Sequence, residues 1–315
     1  MKKFLLALDG SEHSLPAVEY AAHVLPRTDS EVILYHVHSR IPELYWDMEP
    51  KSGYDYWMSK LQQFEEDHLK TVKDLMEKSR QTLLNADFYE NHVFMKLENR
   101  KAGVARDISA EAKQGYHTLV MGRLGAGAVK ELPLGSVANK VLNSLSDMNL
   151  CIVAGRPETQ KLMIALDGSV NSMRSVDTVC FLKRVRGANR KILLFHAMRR
   201  MGYPAFGVGK FEPIKALEEQ MYQENEEAMN AVFEEAKSRL IRAGYSEKDI
   251  STKIVKGVPS RPRAVLAEAV AQNIGSIFVG RQGITQTEEY RIGRIPHKLI
   301  SLAENTAIWI TSDGL

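Results

Sequence analysis

Apolar residues along the chain fall into two kinds of run, and the kinds alternate. Short unbroken runs, such as Phe4-Leu-Leu-Ala-Leu8 and Leu162-Met-Ile-Ala-Leu166, show no polar alternation. They predict strands buried on both faces. Longer stretches space their apolar residues by three and four, as an amphipathic helix does. Ala17, Val18, Ala21, Ala22 and Leu25 form one such stripe, and Met173, Val176, Val179 and Cys180 another. Ser11 or Ser14 offers a cap before the first stripe, and Pro16 falls in its first turn, where proline is tolerated.

Continued along the chain, this pattern predicts strands near 3–8, 31–38, 91–97, 117–121 and 149–154. A second set falls near 161–166, 190–197, 250–256, 275–279 and 306–311. Helices are expected at 103–114, 136–145, 260–272 and 294–304, with long polar helices at 56–85 and 214–243. Proline- and glycine-bearing inserts, 39–55 and 199–213, precede the long helices and read as loops. Strands alternating with helices over short connections mean parallel βαβ units. The expectation is an α/β chain of two tandem, doubly wound, five-stranded parallel-sheet domains.

The halves are copies. Phe4-Leu-Leu-Ala-Leu-Asp-Gly-Ser11 aligns with Leu162-Met-Ile-Ala-Leu-Asp-Gly-Ser169 at an offset of 158, and Ile33-Leu-Tyr-His-Val37 with Leu193-Leu-Phe-His-Ala197 at 160. Gly122, Gly125 and Gly135 recur as Gly280, Gly283 and Gly293, again 158 positions on. The expected domains are 1–155 and 160–315, joined by a linker at Arg156-Pro-Glu-Thr159.

Ligands of open α/β sheets bind beyond the carboxyl ends of the strands, where strand order reverses. In the first copy Asp9, the Val37-His38 strand end and the loop from Gly122 to Ser136 all belong at that edge. Glycine lets backbone N–H groups approach an anion without a Cβ clash. Ser136 can donate its hydroxyl to a phosphate and cap a helix starting at Val137, whose N-terminal dipole favours the anion. Arg123 and Lys130 are further sources of charge, although a solvated surface position is the favoured reading for both. Asp9 suits a ribose or adenine donor, a metal held by phosphates, or simply a turn that caps the next helix.

Gly122, Gly125, Gly135 and Ser136 follow the order glycine, two residues, glycine, nine residues, glycine, serine. With the duplicated Leu-Asp-Gly-Ser signature, this pattern resembles the universal stress protein family in its tandem two-domain form. The resemblance implies the adenine nucleotide alpha hydrolase-like, Rossmann-like fold and an ATP site, with or without Mg²⁺. It places the nucleoside at Asp9 and Val37, and the phosphates at Gly122, Arg123, Gly125, Gly135, Ser136 and Val137. It implies a regulatory, stress-response role with a regulatory protein partner rather than metabolic catalysis, and slow ATP hydrolysis as a side activity at most. Fifth strands in this family pair across a dimer. Here 149–154 and 306–311 would pair within one chain, as a monomer with dimer-like symmetry or part of a homodimer.

The second copy departs from the pattern. Asp167, Gly280, Gly283 and Gly293 match, but Arg294 replaces the hydroxyl residue, and Glu288 and Glu289 stand in the loop. Weaker or absent ATP binding is expected there. Gly257-Val-Pro259 resembles the family's loop before the third helix, whereas the first copy has Asn99-Arg-Lys101.

Composition narrows the partners. The chain has 315 residues, 44% hydrophobic and 26% charged, with a net charge of +3. No long Lys/Arg run of the kind that marks a nucleic-acid binder is present, and no apolar run is long enough to cross a membrane. Cys151 and Cys180 sit in apolar runs without metal or redox spacing, and with no secretory segment they fit a reducing cytoplasm. No Walker loop occurs, and Trp57-Met-Ser-Lys60 matches half of a synthetase signature by coincidence. His36, His38 and His196 read as packed or surface histidines, and Glu218 to Glu235 as a solvated helix face. Two alternatives stay open: a slow nucleotide hydrolase of the same superfamily, or a scaffold that binds no nucleotide.

Overall fold

The computed structural model describes residues 1–39, 54–125, 134–183, 190–200, 212–283 and 292–312. They divide into two compact units, residues 1–23 with 27–145, and residues 24–26 with 146–315. Lys130, Glu288 and Glu289 lie outside the described residues.

The first unit contains β1 (Lys2–Leu8), α1 (Leu15–Val24), β2 (Ser30–His38), α2 (Tyr54–Asn85), β3 (Val93–Asn99), α3 (Val104–Ala112), β4 (Thr118–Gly122) and α4 (Ser136–Ser144). Its strands run in the order β3-β2-β1-β4, all parallel, with Phe4 opposite Val32 and Thr118. The chain therefore builds outward from β1 to β3, then crosses back to place β4 on the other side of β1. That reversal is the switch point of the sheet. Phe4, Leu5 and Leu6 are buried, as an unbroken apolar run requires, and so are the predicted α1 positions Ala17, Val18, Ala21, Ala22 and Leu25. The long α2 joins this core only in its second half, where Val72, Leu75, Met76 and Leu83 are buried, while Tyr56, Trp57 and Phe64 stay exposed.

The second unit holds β5 (Asn149–Ala154), β6 (Lys161–Ala165), α5 (Val170–Leu182), β7 (Lys191–Arg199), α6 (Glu212–Arg242), β8 (Ile250–Val258), α7 (Arg261–Ala271), β9 (Ser276–Gly280), α8 (Arg294–Leu302) and β10 (Thr306–Thr311). Strands β8-β7-β6-β9-β10 repeat the winding of the first copy and complete it with a fifth strand. β5 then pairs antiparallel to β10, with Ile152 opposite Ile308, so the expected pairing of the two fifth strands occurs within this chain. The fifth strand of the first sequence copy is thus packed in the second compact unit.

In α5 the predicted stripe is buried at Val176 and Val179 and half-buried at Met173 and Cys180. In α6 Met229 and Phe233 pack inward and Met221 stays exposed, so the acidic stretch is a solvated face over a narrow apolar one. Cys151 is fully buried, and burial pushes the Cys180 thiol up to about 11, so neither is a ready thiolate. Among the described residues no helix is long and apolar enough to cross a membrane.

Candidate functional site

In the first unit, β1 and β4 lie side by side at the switch point, and the two segments that follow them meet there. After β1 the backbone turns through Gly10, whose φ of +79° favours glycine. Asp9 anchors this turn: its carboxylate accepts the Ser11 N–H at 2.9 Å and the Ser11 hydroxyl at 2.8 Å. Ser11 caps the following short helix by accepting the His13 N–H. The capping turn expected of Asp9 is therefore formed. The carboxylate also meets the glycine loop, because a Cβ at Gly125 would stand 3.2 Å from Asp9 Oδ2.

The two described ends of the loop meet. The Gly135 N–H donates to Arg123 O at 2.9 Å, and a Cβ at Gly135 would lie 3.1 Å from that same oxygen. A Cβ at Gly122 would stand 3.2 Å from Leu124 O. These contacts give the glycines a physical reason: side chains would fill the space over Asp9 and the loop. A backbone cradle of this kind fits a phosphate.

Ser136 differs from expectation. The helix begins at Ser136 itself, and Gly135 occupies the N-cap with extended dihedrals and no side-chain cap bond. The Gly135 carbonyl accepts the Asn139 N–H at 2.9 Å, which makes Gly135 the half-in residue and Ser136 the first helical one. Ser136 is exposed and Val137 half-buried. Val37 is buried near the end of β2, opposite Glu98 of β3.

His36, His38 and His196 are buried. His36 Nδ1 donates to Leu8 O at 2.9 Å and His196 Nδ1 to Leu166 O at 2.7 Å, the same bond in both copies. Burial is the main cause that lowers both their pKa values and keeps the rings neutral. Glu65 of α2 stands 3.8 Å from His38 Nε2, a carboxylate brought there by the fold. Among the described residues no group of His, Cys, Asp and Glu could hold a metal ion.

The second copy repeats the frame more tightly. Asp167 accepts the Ser169 N–H at 3.0 Å, and Gly168 has a φ of +82°. The Gly293 N–H donates to Arg281 O at 2.8 Å, and a Cβ at Gly283 would lie 2.6 Å from Asp167 Oδ2. Arg281, the counterpart of Arg123, points into the protein and donates to Met148 O, and burial lowers its pKa to about 10. Beside this frame lies a cavity of about 720 Å³. It brings together Asp167, Gly280, Gly283, Gly293 and Arg294, all expected from the sequence. It also brings in Arg199, Arg261 and Lys298, which the sequence reading missed. Their signal was positional: one ends the second strand of the repeat, and two lie in helix first turns or just beyond.

Residues 1–148 match the model of the universal stress protein family. Over its whole length the fold is similar to that of a universal stress protein from Archaeoglobus fulgidus, at 17% identity and a TM-score of 0.55, covering 99% of this chain and 98% of that one. It is also similar to a candidate universal stress protein from Pseudomonas aeruginosa, at 13% identity and a TM-score of 0.60, covering 99% and 94%. No curated protein sequence matches the chain significantly.

Proposed function

We propose that the first copy binds ATP, with Mg²⁺ carried on its phosphates, and that binding regulates conformation or partner choice in a stress response. The observation that carries this reading is the glycine loop folded over Asp9, where Gly125 comes so close that a Cβ would stand 3.2 Å from the carboxylate. Backbone N–H groups of the loop and the first turn of α4 would hold phosphate, and Ser136, exposed at the start of that helix, would add a hydroxyl donor. Asp9, Val37 and the adjoining strand ends would receive the nucleoside.

Catalysis has less support. Phosphoryl transfer needs an oriented nucleophile and charge stabilisation in line with the leaving group, and His36, the buried histidine beneath the Gly10 turn, is committed to Leu8 O. The proposal places the protein in the cytoplasm as a nucleotide-responsive binding protein.

Mass spectrometry of small molecules released from freshly purified protein tests the reading, together with calorimetric titration of ATP and Mg²⁺. Released adenine nucleotide, or a saturable heat lost in Gly135→Val, is the expected result. The absence of both released nucleotide and any heat would overturn it.

A further inference from the structure

The cavity of the second copy has an unusual charge balance. Four lining side chains are cationic, Arg199, Arg261, Arg294 and Lys298, and Asp167 is the one carboxylate among the described lining residues. None of the four cations forms an ion pair with another described residue.

The cations fall into two pairs on different elements. Arg199 ends β7 and is registered against Val258 of β8, three residues before Arg261 opens α7. Arg294 opens α8, and Lys298 lies one turn further along the same helix. Each pair therefore stands by a helix first turn, whose unbonded N–H groups add to the attraction for an anion. Leu166, Phe195, Ala197, Val265 and Val279 line the same cavity as buried apolar side chains. The corresponding positions of the first copy are Ser39, Val104, Ser136 and Lys140, with a single cation among them.

We propose that the second copy binds a small ligand with a flat apolar body and two separately placed phosphate groups, one at each cation pair. A nucleoside bisphosphate has this form, whereas ATP carries its phosphates in one chain. Arg294 then acts as a direct phosphate ligand in place of the lost serine hydroxyl. The proposal is independent of the first-copy reading.

Calorimetric titration of the full chain with adenosine 3′,5′-bisphosphate, and separately with ATP, tests it. The double variant Arg199→Ser, Arg261→Val should weaken bisphosphate binding by tenfold or more. Arg294→Ser, Lys298→Ala should do the same. Lysine at the three arginine positions should keep most of the affinity, which separates charge from folding. No bisphosphate binding by the unaltered protein would overturn the proposal. So would binding unchanged in either double variant, or a second site that takes ATP more tightly than the bisphosphate. The first-copy reading fails by a different sign: ATP heat insensitive to Gly135→Val.

Discussion

The two glycine loops share a frame and differ in what they offer a ligand. Each closes through the same bond, Gly135 N–H to Arg123 O in one and Gly293 N–H to Arg281 O in the other. Each folds over an aspartate held by its own Asp-Gly-Ser turn. The first presents a serine at the start of its helix, and the second an arginine. Duplication has kept the backbone geometry, which many residues jointly hold, and varied the exposed side chains, which each act alone. A cradle and its specificity are therefore separable, and experiments can address them separately.

The largest expected difference concerns the cradle itself. Gly135→Val puts a branched side chain where even a Cβ would stand 3.1 Å from Arg123 O, so the loop must give way. ATP affinity of the first copy should fall by more than about a hundredfold, or ~2.7 kcal/mol. Gly293→Val should leave the calorimetric ATP heat of the first copy in place. Equal effects from both variants would break the comparison.

Exchanging the helix-start residues comes next. Ser136→Arg should weaken ATP binding about tenfold to a hundredfold, the loss of one hydrogen bond to a charged group at ~1.5–3 kcal/mol. Arg294→Ser should raise ATP affinity in the second copy. Calorimetry on the two single variants and the swap would show it.

The second frame is also the tighter one. Gly280→Ala places a Cβ 2.9 Å from the backbone of Asn171 and Ser172, whereas Gly122→Ala meets Leu124 O at 3.2 Å. Urea unfolding should show a cost of about 1–3 kcal/mol for the first change, typical of overpacking, and less for the second.

A further difference is acid sensitivity particular to the first copy. Burial pushes His117 down to about 4, with Lys2 adding to the shift, and Gly275 stands at the matching position of the second copy. The folded protein holds this ring neutral, while the unfolded chain protonates it near the ordinary value of about 6.5. Its contribution is therefore complete above about 6.5 and declines as pH falls toward 4. His117→Gln should flatten that decline in thermal melts taken across this range.

Much of this was legible beforehand because it rests on local chemistry. Buried strands show as unbroken apolar runs, and the runs starting at Phe4 and Leu162 proved to be β1 and β6, although β6 ends at Ala165. The long polar helices 56–85 and 214–243 proved to be Tyr54–Asn85 and Glu212–Arg242. Helix starts were less legible. The N-cap belongs to Gly135 rather than Ser136, since backbone dihedrals and not hydroxyl chemistry decide which residue is half in the helix.

The sequence by itself determined the duplication, the order of strands and helices, the glycine spacing and the aspartates that meet it. These depend on periodicity and on neighbours in the chain. Tertiary structure alone decided which compact unit receives β5, where Arg281 points, and which distant cations share a cavity. Arg199, Arg261, Arg294 and Lys298 are spread over roughly a hundred positions of sequence. They line one cavity because parallel strands bring their carboxyl ends, and the helices that follow them, to the same edge of a sheet.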